Sequence, residues 1–115
     1  MLDTSHRFHG LGSLNFAYKK GQTLRGPLCS LKFVRNPQRS TYRVAVIVSR
    51  KVSKSAVVRN RIRRRMFAVI ADVLPADTDA YDMLFTVFSD QAATLPVSEL
   101  EQQVRSLFAK ASLIH

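Results

Sequence analysis

The strongest constraint on this chain is a basic run that passes without interruption into an apolar one. Residues 51–65 read Lys-Val-Ser-Lys-Ser-Ala-Val-Val-Arg-Asn-Arg-Ile-Arg-Arg-Arg, with seven Lys or Arg among fifteen and no acid. Met66-Phe67-Ala68-Val69-Ile70-Ala71 follows directly. Apolar side chains recur at Val58, Ile62, Met66, Val69, Val73 and Leu74. That spacing is the stripe of an amphipathic helix, which needs an apolar surface to cover. On the same wheel Arg59, Asn60, Arg63 and Arg64 share the opposite face, flanked by Arg61 and Arg65. Ser53 or Ser55 caps the start, and Pro75 ends the helix.

This helix breaks several local rules at once. Like charges stand four apart in Arg59/Arg63 and Arg61/Arg65, each pair costing roughly 0.2–0.5 kcal/mol. Cations crowd the first turns, where the helix dipole favours anions. Asn60 sits inside the helix, although Asn prefers caps and turns. Small penalties gathered at one place mark a site kept for function, and a polyanion relieves them. Arg offers a planar donor fork that fits phosphate oxygens two at a time. An ordinary basic run is a solvated face. The density here, the packed opposite face and the missing acids argue against that reading.

Charge along the chain sharpens the argument. Net charge is +10, yet residues 1–65 hold 16 Lys plus Arg against Asp3 alone, and residues 66–115 hold two bases against seven acids. Such asymmetry points to nucleic acid or an anionic membrane. A membrane-surface helix would expose large apolar anchors, whereas this stripe is needed to cover a sheet. No run of 18 apolar residues is present, so no transmembrane helix is expected, and the N-terminal residues lack the apolar core of a secretory signal. Cys29 is the single cysteine, which fits a reducing cytoplasm. At 115 residues the chain reads as one RNA-binding domain, residues 1–115, with residues 1–12 as a basic N-terminal arm.

Taken in order, residues 13–21 read as a short helix capped by Ser13 and stopped by Gly21. Residues 22–35 read as extended, with Gly26-Pro27 marking a bulge or an edge. Residues 41–49 are nearly continuous in apolar and β-branched side chains, the pattern of a central strand. The basic loop and helix follow. Residues 80–88 form a last strand and residues 95–111 a last helix, with Ser98 and Glu101 spaced as a capping box and Leu100, Val104, Leu107 and Phe108 as its stripe. The result is an α+β chain in the order αβββαβα.

Constellations for catalysis are missing. The acids lie in turns and helix ends without a His among them, and His6, His9 and His115 are at the chain ends. No phosphate-cradling glycine loop occurs. The residues predict no bond chemistry, no catalytic side chain, no metal site, no cofactor and no small-molecule substrate for this chain itself.

The stretch Ala56-Val57-Val58-Arg59-Asn60-Arg61-Ile62-Arg63-Arg64, preceded by Arg50-Lys51-Val52-Ser53-Lys54, resembles the signature of the bacterial ribonuclease P protein subunit. Length and element order extend the resemblance over nearly the whole chain. It implies a two-layer αβββαβα sandwich with a small mixed sheet, like a domain of ribosomal proteins, and a left-handed βαβ crossover. It further implies a role in tRNA processing. The ribonucleoprotein cuts the 5′ leader from precursor tRNA, its RNA subunit holds the catalytic Mg2+, and the protein subunit assists. Carried over by position, the resemblance makes Lys51, Lys54, Arg59, Asn60, Arg61, Arg63, Arg64 and Arg65 contacts to the ribonuclease P RNA. It makes Phe16, Tyr18, Lys19, Lys32 and Phe33 the lining of a cleft for the single-stranded leader. Strand phase leaves open whether Lys32 or Phe33 turns to the core. The competing expectation is a ribosomal or general RNA-binding protein of similar fold without a catalytic partner. A groove-reading DNA regulator would want a dimerisation stripe, and none is evident.

Overall fold

Alternating apolar residues with one face to bury build a sheet, and the helical stripes cover it. The computed structural model describes residues 22–35, 41–75 and 80–111. Strands β1 (Gln22–Arg25), β2 (Cys29–Arg35), β3 (Arg43–Val48) and β4 (Tyr81–Val87) form one mixed sheet. Helix α1 (Ala56–Val73) joins β3 to β4, and α2 (Val97–Lys110) follows β4 after a 3-10 turn at Asp90–Ala93. The expected helix at residues 13–21 lies outside the described residues. The remaining order, βββαβα, is the expected one.

Sheet order is β1-β2-β4-β3. β1/β2 and β2/β4 are antiparallel, and β3/β4 is parallel, so the crossover through α1 pairs its two strands directly. Gly26-Pro27 connects β1 and β2 in a hairpin, and of its two expected readings the edge is the one found, with β1 at the sheet edge; the Gly26 amide closes the turn on the Cys29 carbonyl at 2.9 Å. One expectation is corrected here. β3 lies at the sheet edge, and β4 takes the central place. The apolar run of β3 reflects cover on both faces: Val44, Val46 and Val48 enter the main core, while Ala45 and Ile47 cluster with Leu84 on the other side.

The main core lies between the sheet and the helices. β2 contributes Leu31 and Phe33, β4 contributes Met83, Phe85 and Val87, α1 contributes Ile62, Met66, Val69, Ile70 and Val73, and α2 contributes Leu100, Val104, Leu107 and Phe108. Phe85 and Phe108 meet edge to face at 5.6 Å, an arrangement worth about 0.5–1.5 kcal/mol beyond burial. Helix α2 starts from Pro96, whose carbonyl accepts from the Glu99 and Leu100 amides. No side-chain cap bond is made there, so the expected Ser98–Glu101 capping box is not formed. Pro96 enters with φ −52°, already near the helical value, which puts Ser98 inside the first turn rather than before it. No helix among the described residues is long and apolar enough to cross a membrane.

Candidate nucleic-acid interface

β3 ends at Val48, and the chain turns at once into the basic loop, where the Val52 amide donates to the Ser49 carbonyl at 3.1 Å. Arg50, Lys51 and Lys54 line an open hollow there. Ser55 caps α1, its hydroxyl accepting from the Val58 amide at 3.3 Å, while the Ser53 hydroxyl accepts from the Ser55 amide at 3.2 Å. Of the two candidate caps, Ser55 holds the position and Ser53 supports it.

The stripe expected for α1 is the buried one. Ile62, Met66, Val69, Ile70 and Val73 are buried, and Val58 is half-buried. Asn60, Arg61 and Arg64 are exposed, and Arg59, Arg63 and Arg65 are half-buried. Arg61 thus stands outward with Asn60 and Arg64 instead of at the flank.

Neutral oxygens orient the half-buried arginines. Arg59 donates to the Ser53 carbonyl at 2.9 Å, which ties the helix back to the loop. Arg63 donates to the Asn60 side-chain oxygen at 2.6 Å. An amide at position 60 holds the guanidinium without neutralising it, as a carboxylate would, which accounts for an Asn inside the helix. Among the described residues, none of the seven cations of residues 51–65 enters an ion pair. The surface is therefore arranged and positively charged together.

Arg65 is different. It donates to the Ala92 carbonyl at 2.7 Å and to the Leu95 carbonyl. Both acceptors belong to the segment around the 3-10 turn, whose Ala92 and Ala93 are buried against the core. Its guanidinium tethers α1 to the connection before α2, a task that its place in the expected RNA-contact set did not foretell. Sequence spacing gave no sign of these partners, which lie about 30 residues away.

The expected leader cleft is divided by the fold. Phe16, Tyr18 and Lys19 lie outside the described residues. Lys32 lies on the sheet face turned away from α1 and α2, in the row Thr23, Lys32, Leu84 and Ala45. Phe33 lies on the other face, 8% exposed within the core and 6.1 Å from the Tyr81 ring. Of the two residues, Phe33 is the one that turns to the core and Lys32 the one that turns away.

The sheet face of Lys32 also carries a pair that periodicity alone did not single out. Arg43 and Asp82 are register partners across β3 and β4. Arg43 Nε donates to Asp82 Oδ1 at 2.9 Å, and one terminal nitrogen donates to Oδ2 at 2.8 Å. Elsewhere, burial pushes the Cys29 thiol up to about 12 and raises the Tyr42 hydroxyl above its ordinary range. A thiol so held is no nucleophile at neutral pH. No three His, Cys, Asp or Glu side chains converge as a metal cluster among the described residues.

Known proteins share this fold. The family model described as Ribonuclease P matches residues 2–112. A ribonuclease P protein component of Pseudanabaena sp. is 31% identical over 115 residues, covering 100% of this chain and 98% of the relative. One from Chloroflexus aurantiacus is 34% identical over 96 residues, covering 84% and 70%. Among solved structures, the RNase P protein of Staphylococcus aureus superposes with a TM-score of 0.82 at 18% identity, over 96% of this chain and 98% of that one. The RNase P protein of Thermotoga maritima gives 0.71 at 16% identity, over 84% and 89%. The structural neighbours carry the likeness of fold; the matched sequence, spanning all but the ends, carries descent, and on it the chain belongs to the ribonuclease P protein component family.

Proposed function

We propose that this chain, in the cytoplasm, joins ribonuclease P RNA through the basic loop and the outward side of α1 and helps the ribonucleoprotein remove 5′ leaders from precursor tRNA. The observation that carries this reading is the set of cations on residues 51–64, of which Arg59 and Arg63 are held by neutral oxygens and none, among the described residues, is paired with an acid. Lys51 and Lys54 supply phosphate contacts from the loop. Arg59, Asn60, Arg61, Arg63 and Arg64 supply them from the helix. Residues 1–115 act as one RNA-binding domain, with residues 1–12 as its arm.

The leader passes by Lys32, beside Phe16, Tyr18 and Lys19. Charge along a backbone and rings against bases together hold single strands. Mg2+ belongs to the RNA in this reading, and the protein supplies no catalytic group. Its contribution is to neutralise repulsion between two polyanions, which lowers the magnesium the reaction needs.

Salt dependence of binding to ribonuclease P RNA tests the interface. Removing one cation from its phosphate reduces the slope of log K against log salt by roughly 0.7–0.9. Replacing Arg59, Arg61 and Arg63 together by Ala is expected to flatten the slope by about two to three. An unchanged slope would place the RNA elsewhere on the protein.

A further inference from the structure

One end of the sheet face that carries Lys32 presents an exposed aromatic ring. Phe88 follows β4 and is 38% exposed, while its own amide is spent on the Leu28 carbonyl at 3.0 Å. The guanidinium of Arg25, at the end of β1, stands 4.7 Å from the centre of that ring. Arg25 pairs in register with Ser30, and Ser30 with Thr86, so all three share a sheet face with Lys32. Lys32 and Arg25 are diagonal neighbours across β2 and β1, roughly 7–8 Å apart. β1, β3 and β4 all end on this side of the sheet, and the basic loop leaves β3 there. A single strand running from Lys32 towards that loop therefore passes Arg25 and Phe88.

We propose that Arg25 and Phe88 form a stacking platform for one base of the single-stranded RNA leader, at the loop end of that sheet face. The proposal rests on the leader reading given above and adds a subsite to it. The chemistry favours a nucleotide. A guanidinium lying on a ring presents its outer plane to a base and keeps its in-plane N–H groups for phosphate oxygens. Arg25 is exposed, and among the described residues no carboxylate competes for it. An apolar protein partner would leave that charge buried and unpaired, at a cost. Stacking tolerates any base, so the platform sets the leader's path without choosing its sequence.

The test measures affinity of the holoenzyme, reconstituted from this protein and ribonuclease P RNA, for precursor tRNA and for mature tRNA. Phe88→Ala is expected to weaken binding of the leader-bearing RNA roughly 5- to 100-fold and to leave mature tRNA unchanged. Phe88→Tyr keeps the ring and the affinity. Arg25→Lys keeps the charge, loses the plane and reproduces most of the loss. Abasic substitutions along the leader then find one position at which Phe88→Ala has no additional effect. A leader advantage that survives Phe88→Ala, or a loss shared equally by mature tRNA, overturns the platform while the leader reading stands. A native holoenzyme that binds both RNAs alike overturns the two together.

Discussion

Arg43 and Asp82 lie opposite one another on β3 and β4 and join through two hydrogen bonds of 2.9 and 2.8 Å, with Asp82 1% and Arg43 14% exposed. The carboxylate is withdrawn from water on the same sheet face as Lys32. The bidentate geometry fixes the parallel β3/β4 register at the end where β3 begins. Removing one partner takes two charge-assisted hydrogen bonds from the other. Arg43→Ala or Asp82→Ala is expected to cost about 1.5–3 kcal/mol in denaturant unfolding. The double variant Arg43→Met/Asp82→Leu is expected to cost much less than the sum. Additive losses would show that the pair does not act as a unit.

Arg65 and Arg61 separate stability from binding. Arg65→Met removes donors from two carbonyls near the 3-10 turn and is expected to lower stability by about 1–3 kcal/mol. The salt slope of RNA binding should stay near that of the native protein. A steep fall in slope with no loss of stability would return Arg65 to the RNA interface.

Arg61→Gln is expected to do the reverse. It removes the like-charged partner of Arg65 one turn away, a relief of roughly 0.2–0.5 kcal/mol. Chemical denaturation should show equal or greater stability, while the salt slope falls by roughly 0.7–0.9. A stability loss above about 1 kcal/mol would mean that Arg61 holds the fold.

Cys29 gives a pH prediction with a definite sign. Burial raises its thiol from 9.0 to about 12. Above its unfolded value the unfolded chain has released the proton and the native chain still holds it. Stability is therefore full below about pH 9 and falls as pH rises from 9 towards 12. Tyr42, raised in the same direction by burial, adds to the fall at the alkaline end. Cys29→Ser is expected to reduce the slope in that window. Native protein should also resist thiol alkylation at about pH 8 until denatured; prompt labelling of native protein contradicts the burial.

Much of the fold was legible because single elements announce themselves locally. The α1 stripe from Ile62 to Val73 and the stop at Pro75 follow from period and from backbone chemistry, and both are observed. What stayed hidden depends on partners far along the chain. β2 carries apolar residues on both faces, Leu31 and Phe33 on one and Val34 on the other, so periodicity did not separate Lys32 from Phe33. β3 reads as central because both its faces are covered, although it is an edge strand. Arg65 looked like its neighbours, and only the approach of Ala92 and Leu95 gives it a different task. The pairing of Arg43 with Asp82 spans 39 residues and required the parallel register.

The central claim is that the cations of α1 serve ribonuclease P, and leader cleavage at low magnesium tests it most directly. Precursor tRNA and ribonuclease P RNA are combined without protein, with the native chain, and with the Arg59→Ala/Arg61→Ala/Arg63→Ala variant. Correct 5′ cleavage stimulated by the native chain and lost in the variant is the predicted result. Tight, salt-dependent binding of that RNA by the native chain with no change in cleavage at any magnesium concentration would contradict it.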